Sequence, residues 1–110
     1  MEIIEHAGRW TEPGSRGAGY IEHLAVRSLS VGTYSLRAGA DDPQQPHTED
    51  EVYLITTGSG QFTSGGRTVD VKPGMVLYVA AHEPHRFHDV GEDLTVLVFF
   101  GPAEGSLAAN

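Results

Sequence analysis

The chain contains no cysteine. That excludes a disulfide framework and any thiolate site, and it fits a protein of the reducing cytoplasm. Basic residues are scarce: seven Lys and Arg stand against fifteen Asp and Glu, for a formal charge of −8. No basic stripe exists to neutralise phosphates, so neither nucleic acid nor an anionic membrane is expected as a partner. No apolar run approaches the roughly 18 residues that span a bilayer. The opening MEIIEHAGRW has neither a basic nor an apolar signal region, so it does not read as a signal peptide. The expectation is a soluble, cytoplasmic protein. Helical patterning is missing too: no stretch of about ten residues repeats its apolar positions at 3.6.

What the chain does have is punctuation. Fourteen glycines and six prolines are spread over 110 residues, a length that suits one domain. Between them lie short alternating or apolar segments. Residues 20–37 (YIEHLAVRSLSVGTYSLR) read as two strands with a turn or bulge at Leu29–Gly32. A strand over 51–57 is expected to turn at Gly58-Ser59-Gly60 and pair back over 61–64. Gly65-Gly66 is a two-residue hairpin signal. Pro73-Gly74 starts a turn before the apolar MVLYVA, and the last strands, 85–89 and 94–100, are split by a turn at 90–93. Short strands with turn signals this close together predict an all-β sandwich or barrel. Residues 20–100 would form it. The breaker-rich segment 1–19 would be a lid or edge piece, with Trp10 there or at a subunit interface, and 101–110 a frayed or lightly docked tail.

Candidate chemistry centres on GADDPQQPHTEDEVYLITTGSG, residues 39–60. Gln45, His47 and Glu51 are spaced by two and then four, so in an extended strand all three share one face. Imidazole and carboxylate suit divalent iron, manganese, zinc or nickel. His85 follows another apolar strand and offers a further ligand. Tyr53 and Ile55 share the face of Glu51 and Phe87 that of His85, as core or as the wall of a small-molecule cavity. The Tyr53 hydroxyl is the one placed to touch a substrate. His23, His82 and His88 read as surface residues, although His82 or His88 near the site could shuttle protons.

PHTEDEVYLITTGSG followed by VKPGMVLYVAAHEPHRF resembles the two motifs of the cupin superfamily. His47 and Glu51 match the second histidine and the glutamate of the first motif, and Gly58 its glycine. Pro73-Gly74 and His85 match the second motif. The resemblance runs from about Val31 to Phe100 and implies a double-stranded β-helix, the jelly-roll β-barrel. Two positions depart from it: Gln45 replaces the first motif histidine and Asp89 the asparagine. The resemblance implies a divalent metal (Fe, Zn, Mn or Ni) held by His47, Glu51, His85 and Gln45. Asp89 and Glu49 would receive the histidines' other ring nitrogens. It further implies a homodimer and an enzyme acting on a small oxygen-rich molecule, with Glu51 and Tyr53 catalytic. The reaction would be a dioxygenation or a redox-neutral isomerisation, cyclisation or lyase step. The alternative is a non-catalytic metabolite-binding or sensor barrel.

Overall fold

The computed structural model describes residues 1–108. The alternating segments become six strands: β1 (Ala18–Val26), β2 (Leu29–Leu36), β3 (Asp50–Ser64), β4 (Arg67–Val71), β5 (Val76–Val79) and β6 (His85–Gly101). Every pairing is antiparallel, in the order β1-β2-β6-β3-β4 with β5 also on β3. No helix is present among the described residues, and none is long and apolar enough to cross a membrane. The architecture is the all-β jelly roll expected of a double-stranded β-helix.

Period-two patterning sets the core. On β3, Glu51, Tyr53 and Ile55 are buried while Val52, Leu54 and Thr56 are only partly covered. β6 answers with Phe87, Leu94, Val96, Val98 and Phe100, all 5% exposed or less. Each such side chain contributes about 1.5–3 kcal/mol by leaving water. β2 is buried on both faces from Ser30 to Leu36. Its outer face is covered by the N-terminal segment, where the Gly8 amide donates to Thr33 Oγ1 (2.9 Å) and the Thr11 amide to Ser35 Oγ (3.3 Å). This segment forms no strand; Ile3 remains exposed and Trp10 only half-covered.

Three expected turns take a different form. The β1–β2 turn falls at Arg27-Ser28, and Gly32 lies mid-strand opposite a bulge between Glu22 and Leu24. Glycine is needed there because the Tyr20 ring crosses it: a Cβ on Gly32 would meet the Tyr20 hydroxyl at 2.1 Å. The signals at 58–60 and 90–93 are not turns at all. β3 and β6 run through them as one long ribbon, paired from Asp50–Gly101 to Ser64–His85, with register shifts between Ile55 and Gln61. Gly58, at φ 95°, sits at that irregularity, and a Cβ there would lie 2.2 Å from the Asp93 carbonyl oxygen. Glycine at a positive φ serves a bulge as well as a turn, so the two look alike in sequence. Gly65-Gly66 does close a tight hairpin, both at positive φ, between Ser64 and Arg67.

Candidate metal centre

The bent ribbon brings its two ends together. Glu51 pairs near one end and His85 at the other, yet His85 Nε2 lies 2.9 Å from Glu51 Oε1. His47, on the loop before β3, completes the group: one ligand atom from each of His47, Glu51 and His85 lies within 4.8 Å of the others. The His47 and His85 rings are 5.5 Å apart, and His47 stacks edge-on to Phe100 at 4.8 Å.

The bonding of this cluster is incomplete. Both Glu51 oxygens and His85 Nε2 are buried without a hydrogen-bond partner; the 2.9 Å approach is out of line for one. His85 Nδ1 is 2.9 Å from the Glu83 carbonyl oxygen, which accepts and so places the ring proton on Nδ1. The lone pair of Nε2 then faces a carboxylate. Two acceptors at that distance repel unless a proton or cation joins them. Burial lowers the His85 pKa, but Glu51 and the Glu83 carbonyl outweigh it and raise it above the ordinary 6.5. The donor set of two imidazoles and one carboxylate fits a divalent metal and leaves coordination positions open.

Gln45 does not join this group. It is exposed, and the amide that reaches the cluster is that of Gln44, whose Oε1 lies 3.3 Å from His47 Nε2. Pro43 and Pro46 interrupt any strand across this loop, so two-residue alternation does not carry from Glu51 back to Gln45. Asp42 fixes the amide. Its Oδ1 accepts from the Gln44 backbone (3.1 Å) and its Oδ2 from Gln44 Nε2 (2.9 Å), which turns Oε1 toward His47. Asp42 also takes the Tyr34 hydroxyl (2.6 Å) and the Phe87 amide (2.9 Å).

Tyr53 is fully buried, and its hydroxyl donates to Gln44 Oε1 at 3.0 Å. Burial, and then the Glu51 charge, push its pKa well up, so it stays a hydrogen-bond donor. Expected partners of the histidines are also reassigned. Glu49 is occupied elsewhere, and Asp89 bonds His88 Nδ1 at 2.7 Å. The acidic group near His47 Nδ1 is Glu104 Oε2, 3.6 Å away. His88 also meets Thr63 Oγ1 (2.6 Å), His23 meets Thr33 Oγ1 (2.6 Å), and His82 is exposed at a positive φ. None of the three belongs to the cluster.

A cavity of about 120 Å³ adjoins His47, walled by Tyr20, Tyr34, Gln44, Phe100 and Glu104. Burial, as the largest cause, raises the pKa of both tyrosines above the ordinary range. The Tyr20 hydroxyl is buried without a partner. A more open recess of about 270 Å³ lies beside His85 and includes Gln44, Pro46 and Arg86. Sequence reasoning passed over Asp42, Gln44 and Glu104.

The cupin domain profile matches residues 32–100. The chain belongs to the cupin family. An uncharacterized protein of Streptomyces coelicolor is 44% identical to this cupin over 93 residues, which make up 84% of this chain and 89% of that one. Among solved structures, the DMSP lyase DddQ of Ruegeria pomeroyi superposes with a TM-score of 0.73 at 22% identity, covering 93% of this cupin and 57% of that chain. The salicylate 1,2-dioxygenase of Pseudoaminobacter salicylatoxidans superposes with a TM-score of 0.73 at 18% identity, covering 82% of this cupin and 26% of that chain. At these identities the likeness is one of fold.

Proposed function

We propose that this cupin is a metal-dependent enzyme acting on a small oxygen-bearing organic molecule. His47, Glu51 and His85 would hold one divalent ion, with Gln44 as a further oxygen ligand. One observation carries the reading: Glu51 Oε1 and Oε2 and His85 Nε2 are buried, convergent and unbonded. A buried carboxylate without partners is costly, and a cation satisfies all three atoms together. The bound ion would act as a Lewis acid on a substrate oxygen, or support oxygen chemistry if it is iron.

The chain's own residues divide the remaining tasks. Asp42 and Tyr53 hold Gln44 with its oxygen inward. Phe100, Tyr20 and Tyr34 line the cavity beside His47, and the Tyr20 hydroxyl is free to donate to a ligand. Fold neighbours include a lyase and a dioxygenase, so fold alone does not choose the reaction class. A homodimer, formed through the partly apolar sheet face that leaves Val76, Tyr78 and Phe99 exposed, is part of the same proposal.

Elemental analysis of untagged protein, purified without chelators or nickel resin, tests the reading. About one equivalent of iron directs the search to oxygen consumption with small aromatic or enolic acids. Zinc, manganese or nickel directs it to redox-neutral lyase and isomerase substrates. A protein that carries no metal and takes none up on titration would be a non-catalytic binding barrel, and the enzyme reading would be withdrawn.

A further inference from the structure

Beyond the three clustered ligands lies a segment that ought, by composition, to be loose. Residues 102–108 (PAEGSLA) follow the last strand, yet their backbone is tied to two fully buried side chains. The Glu104 amide donates to Ser30 Oγ (2.9 Å), and the Gly105 and Leu107 amides donate to Glu49 Oε1 (2.7 Å) and Oε2 (3.0 Å). Ser30 and Glu49 are 0% and 1% exposed. Two local turns, Ser106 amide to Ala103 oxygen and Ala108 amide to Gly105 oxygen, shape the segment around the carboxylate. Among the described residues Glu49 has no cationic partner within 4.0 Å. Besides the Thr48 hydroxyl, the amides of this segment are what compensate its buried charge. Docking of the segment and burial of Glu49 therefore require each other.

The docked segment delivers Glu104. Its carboxylate stands 3.6 Å from His47 Nδ1 and forms one wall of the cavity beside that ring. On its other nitrogen, His47 donates to the Gln44 oxygen at 3.3 Å, so without a cation Nε2 holds a proton that Glu104 would have to draw to Nδ1. Once a cation occupies the cluster, Nε2 must offer it a lone pair, and the ring proton belongs on Nδ1, where a carboxylate stabilises it. We propose that residues 102–107 form a strap that completes the metal site, with Glu104 as the positioning residue that orients His47 and keeps its proton on Nδ1. This rests on the metal reading above.

The test uses the full chain, stripped with chelator and titrated with zinc by calorimetry, as wild type, Glu104→Gln and Glu104→Asp. Glu104 is partly exposed and outside the apolar core, and circular dichroism verifies that each variant is folded. Glu104→Gln is expected to lose about 10- to 100-fold in zinc affinity and Glu104→Asp to recover part of it. Long-range ¹H–¹⁵N spectra of the zinc-free proteins supply a second readout. The share of His47 protonated on Nδ1 should fall in Glu104→Gln. Equal zinc affinity in wild type and Glu104→Gln overturns the strap proposal and leaves the metal reading standing. So does a loss that Glu104→Asp does not relieve with unchanged His47 ring signals, because it marks a merely structural role. Failure of wild type itself to take up zinc or any other divalent ion overturns the metal reading, and the strap proposal with it.

Discussion

Glu49 and Glu51 stand two residues apart, each 1% exposed, and their surroundings differ completely. Glu49 accepts two backbone amides and the Thr48 hydroxyl. Glu51 accepts no hydrogen bond, and what faces it at 2.9 Å is the ring nitrogen of His85, itself buried without a hydrogen bond. Burial raises the Glu49 pKa, but those hydrogen bonds outweigh it and hold it below the ordinary 4.5. A satisfied buried carboxylate is part of the architecture. An unsatisfied one points to something the protein binds.

The comparison breaks most visibly at Glu51. Glu51→Gln should reduce zinc or iron affinity by more than about 100-fold in calorimetric titration, since it removes the one anionic ligand. The same change should move the stability of the metal-free protein by less than about 1 kcal/mol in urea, because it removes a buried charge and the charge partner of His85 together. Unchanged metal affinity would remove Glu51 from the site. Glu49→Gln should lower stability by about 2 kcal/mol, as it weakens two charge-assisted bonds. Its effect on metal uptake should be smaller than that of Glu51→Gln.

Acidity sharpens the contrast. Because the folded-state pKa of Glu49 is depressed, its contribution is fully present above the ordinary glutamate value and is lost as pH falls through the depressed one. The stability gap between wild type and Glu49→Gln, followed by urea unfolding from about pH 7 to pH 3, should therefore close toward acid. A gap that widens would contradict this assignment of Glu49. The smallest expected effect separates the neighbouring glutamines: Gln44→Ala should weaken metal binding by about tenfold, whereas Gln45→Ala should leave the titration unchanged.

Much of this was legible beforehand. The alternation of β3 and β6 and the glycine-rich breaks lead to an all-β barrel without further help. The cupin spacing picks out His47, Glu51 and His85, the three residues that converge in space. What escaped has physical causes. Gln44 rather than Gln45 faces inward because a loop with prolines at 43 and 46 keeps no strand period, and because Asp42 anchors that amide. Glu104 escaped because its small, polar segment has the composition of a free end. Only bonds from its amides to Ser30 and Glu49, far away in sequence, give it a place. The bends at Gly58 and near Val90 passed for turns because local sequence does not say whether pairing resumes beyond a kink.

The long β3–β6 ribbon has one more consequence. Its ladder sets Glu51 and His85 at opposite ends, while the Glu51–Val79 pairing and the His82 amide on the His47 carbonyl (2.7 Å) bring the loop before His85 alongside, so a shared cation would lock contacts that the backbone already makes. Metal binding to such a site is folding free energy. Melting temperature should then follow free-metal concentration by mass action, with a gain of about 2.7 kcal/mol once the metal stands a hundredfold above its dissociation constant. In a chain without cysteine, a bound ion would supply the cross-tie that no disulfide can, and its strength would follow metal supply.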